Sequence, residues 1–125
     1  MTVNEAYNTY KNTLLSTAVD KVQIVSLLYE GALKFALNAS KFMKENNLED
    51  KADNLNKVSG IILALRDSLD QNADKETVEY LTDLYNFLLK ETIKANSHND
   101  TEAFGIVIRY LEQLSNIWNN QVMKK

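Results

Sequence analysis

The sequence predicts an all-α fold, an antiparallel up-down-up-down four-helix bundle with an N-terminal arm or short helix packed on it. Three observations predict it. Proline is absent and only three glycines occur in 125 residues, so strand-bounding turn signals are scarce. Four long segments place apolar residues at steps of three and four, the spacing that lines one helix face. Polar connections of about four to six residues separate them, short enough to make neighbouring helices antiparallel.

The first predicted helix runs from about Asp20 to Glu45, with Val25, Leu28, Ala32, Phe35, Ala39 and Phe42 on one face. Asp20 suits an N-cap, since its carboxylate can accept from free amides of the first turn, and Gln23 completes a capping box. Asn46-Asn47 stops this helix, Asn being tolerant of the left-handed conformation. The second runs from about Asp50 to Asp70 through Leu55, Val58, Ile62, Leu65 and Leu69. A polar turn, Asp70-Gln71-Asn72-Ala73-Asp74, leads into the third, from about Lys75 to Ala95, lined by Val78, Leu81, Tyr85, Leu88 and Thr92. Ser97-His98-Asn99-Asp100 reads as the next loop, with Asn99 and Glu102 in capping-box spacing. The fourth helix ends near Val122 and carries Phe104, Val107, Leu111, Leu114 and Trp118. Gly31 and Gly60, inside helices, each cost about 1 kcal/mol relative to alanine, and each reads as a point of close helix–helix approach.

The chain therefore divides into an arm, residues 1–19, and a bundle, residues 20–125. The arm's large apolar residues are Val3, Tyr7, Tyr10, Leu14, Leu15 and Val19. Tyr7, Tyr10 and Leu14 are helically spaced, so the arm forms either a short amphipathic helix or an extended strap on the bundle. A free tail has no use for that much apolar surface.

Composition narrows the function. Hydrophobic residues make up 45% and charged residues 25%, the balance of a globular domain rather than a disordered chain. Without cysteine there is neither a disulfide framework nor a thiolate zinc site. Met1–Tyr10 lacks a secretory signal's basic and apolar regions, and Ile61–Leu65 is far shorter than the ~20 apolar residues of a membrane span, so a cytoplasmic location is expected. Net charge is −3, the only arginines are Arg66 and Arg109, and Lys124-Lys125 is the only basic doublet, so the electrostatic footprint of a nucleic-acid binder is missing.

Catalytic chemistry finds no support either. The single histidine, His98, falls in a predicted polar loop and cannot by itself build a histidine-rich metal site. No Glu-x-x-His pair of a carboxylate di-metal bundle occurs, and no phosphate-cradling glycine loop is present. The expectation is a non-enzyme without cofactor or metal.

The positive signal is surplus apolar surface. A bundle helix needs an apolar face of about three positions in seven. Beside the core lines lie Ile106, Tyr110 and Ile117 on the fourth helix, Tyr80, Leu84 and Phe87 on the third, and Ile61 and Leu63 on the second. They have two readings: a wide core covered by the arm, or a groove for a partner's amphipathic helix. The two are compatible if the arm covers the groove until a partner displaces it.

Four motifs then fall in a recognisable order: Tyr7-x-x-Tyr10, Leu27-Leu28-Tyr29-Glu30-Gly31-Ala32, Ala95-Asn96-x-x-Asn99-Asp100 and Leu111-x-x-Leu114-x-x-x-Trp118. As an ordered set they resemble the flagellin-specific secretion chaperone family, FliS, over essentially the whole chain. The resemblance implies a small cytoplasmic bundle that binds the disordered C-terminal segment of flagellin, prevents premature polymerisation and aids delivery to the flagellar type III export apparatus. It also implies contact with an export-gate membrane protein once cargo is bound, and assigns to Tyr7 and Tyr10 a part in covering the groove and in that contact. The expected state is a monomer or weak dimer. The candidate groove is lined by Ile61, Leu65, Tyr80, Leu84, Phe87, Ile106, Tyr110 and Ile117. Two departures stand out: Asp20-Lys21 replaces the family's usual Ser-Pro, and Ser115-Asn116 lies where basic residues are common.

Overall fold

A computed structural model describes residues 1–17 and 19–122; the Val19 side chain and Lys124-Lys125, both weighed above, lie outside the described residues. Five α-helices follow one another: α1 Val3–Thr17, α2 Val19–Lys44, α3 Leu48–Asp67, α4 Lys75–His98 and α5 Thr101–Val122. The arm is thus a helix, begun where Thr2 Oγ1 accepts from the Glu5 amide at 3.1 Å.

Polar side chains set the helix ends. Asn46 adopts φ 56°, which turns the chain out of α2, and Asn47 Oδ1 accepts from the Asp50 amide at 3.3 Å to start α3. Asp74 accepts from the Thr77 amide at 3.0 Å and starts α4. Two expected caps move. Asp20 lies within the first turn of α2 rather than ahead of it. At the α4–α5 junction, Asn99 takes a left-handed φ of 49° and closes α4, while Asp100 Oδ1 accepts from the Ala103 amide at 3.0 Å. Asn is the better residue for the left-handed position and Asp the better acceptor, so the two neighbours divide the work. His98, placed in a loop from the sequence, consequently sits in the last turn of α4.

Cross-helix contacts fix the topology. A Cβ on Gly31 of α2 would lie 3.4 Å from Ile61 Cδ1 of α3, and one turn further along α2 the Lys57 Nζ stands 5.0 Å from the Phe35 ring. Rising numbers on α2 thus meet falling numbers on α3, so the two are antiparallel. Between α3 and α4, Lys51 Nζ donates to the Asn96 carbonyl at 3.0 Å and Arg66 donates to Asn86 at 2.9 Å, again antiparallel. The bundle closes by α2 against α5 and α4 against α5, and the α1 backbone lies against those of α4, α2 and α5 but not that of α3.

The expected core lines of α3, α4 and α5 are all buried. On α2 the buried line is Val22, Val25, Tyr29, Ala32, Ala36, Ala39 and Met43, whereas Leu28, Phe35 and Phe42 fall on its half-buried edge. Small alanines let α2 approach its neighbours closely, which places the larger side chains at the seams. Of the two helix-interior glycines, Gly31 does mark a close approach. Gly60 does not, since an added Cβ would meet nothing within 4 Å.

Gly60→Ala therefore removes glycine's conformational cost without a clash, and urea denaturation is expected to show a gain of about 0.5–1 kcal/mol. Asp74→Ala is expected to lose about 1 kcal/mol in the same measurement, because the Thr77 amide loses its cap.

Candidate functional site

The site is built where α1 enters the bundle. Ala6, Tyr7, Tyr10 and Leu14 repeat at helical spacing, so α1 presents one apolar stripe, and all four side chains are buried. Tyr7 reaches the centre, where Tyr29 of α2 donates to its hydroxyl at 2.7 Å. A hydroxyl carries one proton, so Tyr29 is left to accept from Tyr85 of α4, 2.5 Å away. The rings meet edge-on, Tyr7 to Tyr29 at 6.0 Å and Tyr7 to Tyr85 at 6.4 Å between centroids. Tyr10 packs edge-on against Trp118 of α5, and its hydroxyl accepts from the Asp70 amide in the α3–α4 connection at 3.1 Å. Near the start of α1, Gln113 of α5 donates to Asn4 at 3.3 Å. The helix thus runs between α4 and α5, in the same sense as α5.

Burial governs the electrostatics. Loss of water pushes the Tyr7, Tyr29 and Tyr85 hydroxyls above the usual phenol range, most plainly at the fully enclosed centre, and raises Tyr10 as well. Lys11 is shifted down for the same reason.

Next to the N-terminal end of α1, the sequence-predicted residues of α4 and α5 come together. Tyr80, Leu84, Phe87 and Tyr110 line a shallow cavity of about 330 Å³ with Val3 and Asp83. Ile106 and Tyr110 line a second of about 320 Å³ with Val3, Arg109 and Gln113. Phe87 and Tyr110 pack edge-on at 6.0 Å across the α4–α5 seam, while Phe87 and Ile106 each remain 38% exposed. Val3 belongs to both cavities, so α1 itself forms part of their wall.

The other candidates are not gathered there. Leu65 is a core residue of α3 and Ile61 faces Gly31 of α2, and the α3 backbone does not come close to that of α1 or α5. Ile117 is half-buried on α5 further along, where its carbonyl accepts from Lys11. Sequence reasoning had counted Val3 only as one apolar residue of the arm, although its place one turn before Tyr7 puts both on the same face. It overlooked Lys11 and Tyr29, whose polar atoms disguise core positions.

Ser97 Oγ lies 2.9 Å from His98 Nδ1, but both side chains are exposed at a helix end and both also reach the Lys94 carbonyl, a local terminal arrangement. Among the described residues, no group of three or more His, Asp or Glu side chains is placed to hold a metal ion, and no helix is long and apolar enough to cross a membrane.

The family model described as "Flagellar protein FliS" matches residues 3–125. A flagellar secretion chaperone FliS of Escherichia coli K12 is 31% identical over 102 residues, covering 81% of this chain and 75% of that protein. Its namesake from Bacillus subtilis is 26% identical over 125 residues, covering 100% and 92%. That of Campylobacter jejuni is 26% identical over 116 residues, covering 92% and 89%.

The hydroxyl cluster carries two expectations. Tyr29→Phe strips the central hydroxyl from Tyr7 and Tyr85, leaving buried groups short of a partner, and should cost about 1–3 kcal/mol by denaturant titration. Above pH 10 the unfolded chain releases tyrosine protons that the native state retains, so stability should fall as pH rises past the usual phenol value of 10.0. Lys11 acts oppositely and alone, its contribution rising with pH up to its usual 10.5. Melting temperatures across pH 8 to 11, as a rough range, check the sign.

Proposed function

The chain belongs to the FliS family, a family of secretion chaperones rather than enzymes, and from that premise we propose that it is a cytoplasmic export chaperone for flagellin. Its cargo is the disordered C-terminal segment of flagellin, held so that premature polymerisation is blocked, and passed to the flagellar type III export apparatus. An export-gate membrane protein is a second partner, engaged when cargo is bound.

The observation that carries this reading is the α4–α5 seam. Phe87 and Ile106 are exposed beside Tyr80, Leu84 and Tyr110, and α1 lies in the same seam with Val3 at its edge. A disordered segment loses conformational entropy on binding, so its affinity must come from burying a large apolar area. The exposed rim alone is small. Displacing α1 adds the surface now covered by Ala6, Tyr7, Tyr10 and Leu14, and residues 1–19 then act as a separable cap on the bundle of residues 20–125. Between clients the cap keeps that surface from self-association, which suits a monomer or weak dimer.

Such exchange costs the protein little net apolar burial, because one amphipathic segment replaces another. Tyr7 and Tyr10 then serve twice: docked, they cover the groove; released, two aromatic side chains become available to the export gate.

Since Phe87 and Ile106 are exposed, substituting them leaves the core intact. Phe87→Asp and Ile106→Asp are each expected to weaken binding of a flagellin C-terminal segment by about tenfold or more, with helicity by circular dichroism retained. Wild-type affinity in both variants would move the cargo site away from the α4–α5 seam.

A further inference from the structure

One buried charge on α1 has no counter-charge. Lys11 follows Tyr10 on the face that meets the bundle and is 1% exposed, as enclosed as its apolar neighbours. Its Nζ donates to the Ile117 carbonyl at 2.9 Å and stands 6.0 Å from the centroid of the Trp118 ring. An ammonium has three donors, and a single carbonyl accepts from only one of them. The one ion pair among the described residues joins Arg66 to Asp67, so no carboxylate offsets Lys11. Beside it, the buried Trp118 Nε1 has no acceptor among the described residues.

These groups oppose the rest of the helix. Ala6, Tyr7 and Leu14 gain by leaving water, whereas the Lys11 ammonium loses its hydration when α1 docks and recovers it when α1 leaves. Replacing a buried, poorly compensated charge by an apolar side chain of similar volume is commonly neutral or stabilising. Methionine, unbranched and close in length, would keep the packing on Trp118 and drop the desolvation cost.

We propose that Lys11 sets how readily α1 leaves the groove: a buried charge that keeps the docked helix displaceable. This rests on the reading that cargo takes the place of α1, and it adds the residue that tunes the exchange.

The test uses the full chain as Lys11→Met, with Lys11→Gln as a second variant that removes the charge but keeps a donor for the Ile117 carbonyl. Hydrogen exchange of α1 amides reads docking directly, and calorimetric titration with a flagellin C-terminal segment reads binding. The expected result is α1 exchange slowed by about tenfold in Lys11→Met, with binding weakened by a similar factor and α3, whose backbone α1 does not approach, unchanged. Slowing in either variant supports the proposal; wild-type or faster exchange in both overturns it. Slower exchange with wild-type affinity supports the role of Lys11 in docking and removes instead the premise that cargo displaces α1.

Discussion

Three tyrosine hydroxyls meeting at the centre of the bundle constrain the remainder of the structure. A phenol buried without a partner is costly, and here each hydroxyl is satisfied only because side chains from α1, α2 and α4 arrive at one point. α2 and α4 have no direct helix–helix packing of their own; each packs against α3 and α5. Tyr29 and Tyr85 therefore span the bundle's diagonal, and Tyr7 completes the contact from a helix outside the four. Docking of α1 and completion of the core are in this sense one event. The same arrangement limits α1, because what joins the core through a few side chains can leave it by giving up those few contacts.

Around this centre the bundle is not uniform. The α2–α3 seam is tight, with Gly31 against Ile61, and the ends of α3 and α4 are tied by Lys51 to the Asn96 carbonyl. The α4–α5 seam is bridged by α1 and keeps exposed apolar residues at its edge. Tight packing on one side and a bridging helix on the other suit the exchange proposed above. In that proposal the chaperone holds a flexible client firmly and then surrenders it: large apolar side chains supply affinity, and Lys11 in the displaced helix supplies reversibility.

Much of the fold was legible because the relevant signals are local. Helix existence followed from apolar periodicity, and Asn46, Asn47, Asp74 and Asn99 mark the ends because capping is a property of adjacent residues. The core lines of α3, α4 and α5 were readable for the same reason, being unbroken apolar stripes. α2 was harder. From Tyr29 to Ala39 its inward face is one tyrosine followed by alanines, and the pattern of large apolar residues points some way around the helix instead. Tyr29 and Lys11 are inward because of partners remote in sequence, Tyr7 with Tyr85 in one case and Ile117 in the other, and no window along the chain contains those partners. The candidate groove shows the same limit. Tyr80, Leu84, Phe87, Ile106 and Tyr110 share a surface, but surplus apolarity could not say that Ile61 faces α2, and Leu65, counted on both the core line and the groove, belongs to the core.

If α1 must move for cargo to bind, as proposed above, then a chain with α1 fixed in place cannot bind it. Asn4 on α1 and Gln113 on α5 are exposed and already in contact at 3.3 Å, in a chain that has no cysteine of its own. In an Asn4→Cys, Gln113→Cys variant the two thiols can be joined by a short reductant-cleavable bis-maleimide, which spans the distance the two side chains now bridge, and released with reductant. The cleaved protein is expected to bind a flagellin C-terminal segment with wild-type affinity, and the cross-linked protein is expected not to bind it. Equal binding in both states would contradict that displacement and would make α1 a permanent fifth helix of the bundle.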